Sequence, residues 1–361
     1  MATEVIKIID PDNGSGTNYT SLSAWEAGEQ GDLTGARDEI AVAKCRCTGG
    51  TADTTGCEVS GWTTSATQYI KIWTDPVESY RHNGTWQTGN KYRMYADAVL
   101  LNVTGADHII IDGLQFGYPP GAGNCGCLAT INMTGWAHIR NNVVWGGTSP
   151  SNAFGIAVWS SNQYIYNNII MDFSDHSGTL YYGIKQESES PYPAAIYNNT
   201  IINCYVGIWS VSNGGNGYDA LKNNILYNCT TPIIGTFAAG SGYNATEDAS
   251  LGASYSVYGG ATGDRTSQTF SFVGSGDYHL QSSDTGARGL GTNLYNDAIC
   301  PFQTDIDGQD RGGSGAQWDI GADEYVASIT LTQEGFRFRN DDGDEDGATW
   351  IAAQDTNITR V

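Results

Sequence analysis

The sequence predicts an all-β solenoid, and two repeats running in phase predict it. The first is an Asn pair set between short aliphatic runs: IRNNVVW at 139–145, IYNNIIM at 165–171, IYNNTII at 196–202 and LKNNILY at 221–227. Its leading Asn falls at Asn141, Asn167, Asn198 and Asn223, so the steps are 26, 31 and 25 residues. The second is GIAVWSS from Gly155, GIKQES from Gly183 and GIWSVSN from Gly207, with steps of 28 and 24. Each copy of the first repeat reads as a strand, a polar corner and a second strand, without helical periodicity.

The geometry that satisfies both repeats is a parallel β-helix, each coil lying on the last at roughly 4.8 Å. Equivalent residues then stack in ladders. Asn suits a corner because it tolerates the left-handed backbone region and its amide can bond the Asn of the next coil. Ile156, Val158, Ile184 and Ile208 are expected to fill the bore. Upstream, IIIDGLQF at 109–116 matches the first repeat with Asp112-Gly113 in the Asn position, and Gly126-Cys127-Leu128 matches the second. That makes about five coils.

Three regions follow: an N-terminal cap with the first coils at 1–100, the parallel β-helix at 101–326, and a short C-terminal β extension or second small domain at 327–361. The segment YTSLSAWEAGE at 19–29 has Ser23 three residues before Glu26, a capping-box spacing. An open coil end exposes apolar core, so this helix is the natural lid. After Cys229 the repeat thins into Gly, Ser and Thr, then DYHLQSSDTGARGLGTN at 277–293 reads as resumed coils that close near Tyr325.

The formal net charge is -22 with 17 Lys plus Arg, which leaves no basic stripe to neutralise nucleic-acid phosphates and disfavours anionic membranes and polyanionic sugars unless calcium bridges them. No stretch is long and apolar enough for a membrane span, and the first residues do not read as a Sec signal. Of the 8 cysteines, Cys204 and Cys229 are expected to stack, as a disulfide or as a ladder of buried thiols. Cys45, Cys47, Cys57, Cys125 and Cys127 lack the spacing of a zinc knuckle; a local bridge such as Cys47 to Cys57 is preferred.

Four stretches carry a resemblance. DYHLQSSDTGARGLGTN and TDIDGQDRGGSGAQWDIGADEY resemble the closing coils of right-handed parallel β-helix (pectin-lyase-like) proteins of secreted bacterial proteins and tailed phages, and YTSLSAWE resembles the lid of the phage-associated members. FRFRNDDGDEDGATWIAAQDTNITR is similar to a segment of phage virion and bacterial surface proteins. The resemblance implies a scaffold used in virion decoration, tail fibres and spikes, and in polysaccharide lyases and hydrolases; fold alone does not choose. The leading expectation is a non-enzymatic surface protein of a tailed-phage virion, adhesive to glycans. The alternatives are a polysaccharide-degrading or carbohydrate-binding β-helix protein and a bacterial surface or filament subunit. Expected partners are other virion or surface proteins, further copies of the chain with a trimer favoured, and host glycans.

Alternation from Gly155, Gly183 and Gly207 puts Ala157, Trp159, Lys185, Glu187, Trp209 and Val211 on the outside. Trp159, Lys185, Glu187 and Trp209 are therefore carbohydrate-binding candidates: indole faces cover a pyranose while a charged pair bonds its hydroxyls. A neighbouring subunit covering the tryptophans is the competing reading. Catalytic carboxylates are sought at Glu187, Asp172 and Asp175, the last beside His176 and facing Glu189, though turn spacing explains them as well. Arg140 reads as a lone outward residue. No cofactor is expected, calcium being the one ion considered. Asp342, Asp344 and Asp346 have the first half of a calcium loop, but Ala353 stands where its bidentate Glu belongs. Asp305, Asp307 and Asp310 read first as a turn.

Overall fold

The computed structural model describes residues 2–119, 124–147, 151–159, 162–174, 181–187, 194–211 and 219–327, the side chains of 124–125 and 151–152 excepted. Met1–Tyr325 form one compact unit and Val326–Val361 a second. The predicted C-terminal extension and Asp342, Asp344 and Asp346 lie outside the described residues, as do Asp175, His176 and Glu189.

The chain winds through three parallel sheets of eight, seven and eight strands. The first sheet runs from Thr3–Ile9 through Glu39–Cys45, Ile70–Trp73, His108–Asp112, Trp136–Arg140, Gln163–Tyr166 and Ala195–Tyr197 to Ala220–Lys222. The second runs from Arg93–Tyr95 to Ala245–Thr246 and the third from Cys57–Ser60 to Tyr255–Val257. Adjacent strands within each sheet belong to successive coils, so this is a parallel β-helix.

The bore is filled as its alternation requires. Ile156, Ile184, Ile208 and Ile233 stack in register without solvent exposure, and Val158 is fully buried beside them. Ala157 keeps the outward register of Lys185, yet its methyl group sees no solvent. The recurring glycines have a steric cause. A Cβ at Gly183 would stand 2.7 Å from Gly207 O and 2.8 Å from Ile201 Cγ2, and one at Gly155 would meet the equivalent Gly183 O and Ile170 Cγ2. Those positions face inward where the third sheet approaches the second, and any side chain would force the coils apart.

The Asn pairs divide the corner between them. The leading residues Asn141, Asn167, Asn198 and Asn223 take the left-handed conformation, with φ of 48° to 57°. The following residues Asn142, Asn168, Asn199 and Asn224, continued by Asn244 after a left-handed Tyr243, form a buried amide ladder. Asn168 Nδ2 donates to Asn199 Oδ1 (3.0 Å), Asn199 Nδ2 to Asn224 Oδ1 (3.0 Å) and Asn224 Nδ2 to Asn244 Oδ1 (2.9 Å). In the preceding coil the expected alignment is off by one residue. Arg140 pairs with Asp112, so Gly113, with φ of 76°, occupies the left-handed position and Leu114 replaces the ladder Asn. Phe154 likewise pairs with Gly126, and Ile156 with Leu128. A second ladder follows the second sheet: Asp172, Asn203 and Asn228 have φ of 65°, 53° and 53°, and Asn228 Nδ2 donates to Asn203 Oδ1 (2.7 Å).

At the N-terminal end helix Leu22–Glu29 packs over the first coils, with Trp25 fully buried and stacked on Trp62 at 5.4 Å. Its N-cap is Ser21, whose side chain accepts from Ala24 N, not the expected Ser23, which lies inside the helix. Glu26 consequently turns away from the cap and accepts from Ser60 N and Trp62 Nε1.

Asp277 to Tyr325 add no coil, contrary to expectation. After the antiparallel hairpin of Phe272–Gly274 and Asp277–Leu280 the chain returns along the outside of the β-helix. Tyr278, Ile306 and Ala322 cover Val143, Ile169 and Ile202 of the second sheet, while Phe302 and Trp318 cover Tyr166 and Tyr197 of the first. The leading Asn amides seat it. Asn167 Nδ2 donates to Thr304 O (2.6 Å), Asn198 Nδ2 to Gly321 O (2.9 Å) and Asn223 Nδ2 to Thr292 O (2.8 Å).

Neither Cys204 to Cys229 nor Cys47 to Cys57 is bridged. A Cβ at Gly183 or Gly207 would stand 3.3 Å from Cys204 Sγ or Cys229 Sγ, which places both thiols in the bore as small apolar groups.

Candidate functional site

On the outer face of the third sheet Lys185 lies in register between Ala157 and Trp209. Its ammonium stands 5.2 Å from the Tyr182 ring centroid, 5.6 Å from Trp209 and 5.9 Å from Trp159, and 2.6 Å from Glu187 Oε1. The four candidates thus converge, with Tyr182 added. Sequence alternation counted from Gly183 missed Tyr182 because it precedes the glycine. The rings are braced: Tyr182 and Trp209 lie 5.8 Å apart, and Phe154 meets Trp159 edge-on at 5.8 Å. Burial, and then the Glu187 charge, push the Tyr182 phenol above its ordinary range. Each cation–π contact at this distance is worth roughly 0.5–1 kcal/mol at a partly exposed site. The arrangement pre-sets an apolar platform with a donor and an acceptor fixed in its centre, which suits a polyhydroxylated ring.

Asp172 belongs to a different corner, after the second sheet. Its Oδ2 accepts from Trp145 Nε1 and its Oδ1 from Asn203 Nδ2, both at 2.9 Å. Both oxygens are thereby engaged in structure. Asp305 is likewise a turn residue, its Oδ1 accepting from Asp307 N and Gln309 N.

Arg140 is not alone. It lines a cleft of 630 Å3 between the first sheet and the returning segment, with Arg81, Asp112, Tyr166, Phe302 and Thr304. Arg140 Nε donates to Asp112 Oδ2 and Arg81 Nη2 to Asp112 Oδ1, each at 2.9 Å, while Arg140 Nη1 donates to Tyr166 Oη at 3.0 Å. Burial alone would push the Asp112 carboxyl up, but Arg81 and Arg140 outweigh it and hold it below the usual range. Burial pushes the Tyr166 phenol up to about 12. Arg81 comes from a loop outside the repeat, so coil periodicity could not reveal it. With Asp307 also in its lining the cleft carries two guanidinium groups against two carboxylates, so the ion pairs hold the wall together and leave no excess of positive charge.

Beside the cleft, buried His82 donates from Nε2 to Asn141 O (2.9 Å) and accepts at Nδ1 from Gly84 N (3.1 Å), which fixes the neutral tautomer. Burial, then the Arg81 guanidinium, lower its pKa from 6.5 to about 3, against weaker raising effects of Asp307 and Asp112. A depressed histidine stabilises the fold above pH 6.5, and that stability is lost as pH falls towards 3, at up to roughly 1.4 kcal/mol per pH unit. Urea midpoints of wild type and His82→Gln at pH 7, 5 and 4 are expected to converge as pH falls. A difference unchanged by pH would contradict this role.

No protein-family profile matches the sequence, and no curated protein matches it. Among solved structures the chain is similar to the crystal structure of pectate lyase Pel9A, at 14% identity and a TM-score of 0.37, over 90% of this chain and 97% of that one. Among the described residues no helix is long and apolar enough to cross a membrane. The assignment that stands comes from the three in-register parallel sheets: this chain has the parallel β-helix fold.

Proposed function

We propose that this chain is a non-enzymatic surface protein that holds a glycan against the outer face of its third sheet. The observation that carries the reading is the Lys185–Glu187 pair enclosed by the Trp159, Tyr182 and Trp209 rings. Rings give a sugar its apolar contact, and the charged pair supplies directional bonds without a reacting carboxylate dyad. Binding to an array of bacterial polysaccharides is expected, with Trp209→Ala and Lys185→Ala each weakening it at least ~10-fold, about 1.4 kcal/mol. Unchanged binding in both variants would sink the site. Turnover of any polysaccharide, seen as new reducing ends and abolished by Glu187→Gln, would overturn the non-enzymatic reading.

The setting we propose is the surface of a tailed-phage virion, as a decoration, fibre or spike component and as a homo-oligomer, a trimer being favoured. What supports it is the resemblance of the opening, closing and C-terminal stretches to virion-associated proteins, together with an acidic charge of -22 that keeps particles from sticking to one another. Immunogold labelling of native particles and sedimentation of the purified chain test it; labelled cell envelopes without labelled particles would favour a bacterial surface subunit.

A further inference from the structure

We propose that His279, Asp307 and Asp323 form a binding site for a divalent transition-metal ion of the zinc class, which pins the C-terminal hairpin to the returning segment. One ligand atom from each of the three lies within 4.8 Å of the others. They come from separate stretches: His279 from strand Asp277–Leu280, Asp307 from the turn after Ile306, and Asp323 from the end of the returning segment.

The surroundings are those of a built ligand set. His279 Nδ1 lies 2.5 Å from Asp277 Oδ1, the carboxylate–imidazole contact that orients a ligating histidine and leaves Nε2 as the donor atom. Buried Asp323 is held by Leu280 N, which donates to Oδ2 at 2.7 Å. Asp307 Oδ2 stands 2.9 Å from His279 Nε2, while its Oδ1 is buried without a hydrogen-bond partner. An acceptor left unused in a buried position is an exception that calls for a ligand. Gly84, at φ of 76°, keeps the flank of the ring clear: a Cβ there would collide with His279 Nε2 and lie 3.3 Å from Asp307 Oδ1.

In the metal-free protein a proton takes the ion's place. A hydrogen bond joins His279 Nε2 to Asp307 Oδ2 across 2.9 Å where the ion would sit. A dication replaces the Nε2 proton, which leaves to solvent, and the Nδ1–H bond to Asp277 is kept. One imidazole with carboxylates at about 2.0–2.2 Å suits zinc, whereas calcium prefers an all-oxygen shell.

Titrating the chelator-treated full chain with Zn2+ by calorimetry is expected to give one ion per chain. Melting temperature should rise with Zn2+ but not with equimolar Ca2+, and His279→Gln and Asp323→Asn should each weaken binding at least ~10-fold. X-ray absorption of the zinc-loaded wild type provides a readout independent of whether the variants fold: one imidazole with oxygen neighbours is expected. Absence of binding, an all-oxygen shell, or unaltered affinity in folded variants would overturn the proposal.

Discussion

Replacing Asn199 with alanine is expected to destabilise the protein by about 4 kcal/mol, because one side chain closes four bonds inside the bore. Its Nδ2 donates to Ile165 O and Asn224 Oδ1, and its Oδ1 accepts from Asn168 N and Asn168 Nδ2, all between 2.9 and 3.1 Å. Alanine supplies neither donor nor acceptor, and the cavity it leaves is roughly an amide in size. Each buried group left unmatched costs about 1–3 kcal/mol, and partial relaxation keeps the total below a simple sum. Asn203→Ala, in the more exposed ladder after the second sheet, should cost about 1 kcal/mol. Urea midpoints of the two variants against wild type give the comparison. Equal, small losses would mean that the inner ladder is ornamental.

Arg311→Met should detach the returning segment and cost about 3–5 kcal/mol, the range for breaking one partner out of a buried ion pair. The Arg311 side chain has no solvent exposure. Its Nη2 donates to Asn167 Oδ1, Gly321 O and Ala322 O, and its Nη1 to Glu324 Oε2. One guanidinium thus ties a coil corner to two points of the covering strap; a lysine has neither the fork nor the reach to do so. Burial already raises Glu324 to about 7 although Arg311 opposes it. Without the arginine that pKa climbs further, and a raised carboxyl destabilises the fold as pH increases through the interval between its unfolded and folded values. The deficit of the variant should therefore grow above pH 7. Limited proteolysis is expected to cut first within 281–325 while the coils persist; cutting in the coils at the same rate would contradict a separable strap.

Legibility in the sequence followed periodicity. The Asn pairs and the in-phase glycines betray the coil because identical backbone demands recur each turn, and alternation along three successive strands suffices to bring Trp159, Lys185 and Trp209 together. Off-by-one alignment at Asp112-Gly113 arises because either residue suits a polar corner, and only strand register distinguishes them. The returning segment could not be placed from its own sequence. Its Gly, Asp and Ser turns carry no hydrophobic period, and what seats it is hydrogen bonding to Asn167, Asn198 and Asn223 from more than sixty residues away in the chain. Arg81 escaped for the same reason, being a loop residue whose importance lies in a contact with Asp112, thirty-one positions later. Local rules reach the coil; long-range contacts set the strap, the cleft and the convergence of His279, Asp307 and Asp323.

Oxidative cross-linking tests the coil-on-coil register most directly. His138 and Tyr164 are facing partners on adjacent strands of the first sheet, their rings stacked at 4.7 Å, whereas Lys222 lies three strands from His138. Adjacent Cα atoms at about 4.8 Å fall within disulfide range, and three strands span about 14 Å, which does not. Native thiols among the described residues are buried and leave the readout clear. The double variant H138C/Y164C should close to a single intramolecular disulfide under mild oxidation, with H138C/K222C remaining reduced. Failure of the first pair to close, or equal closure of both, would contradict the stacked coil on which the rest depends.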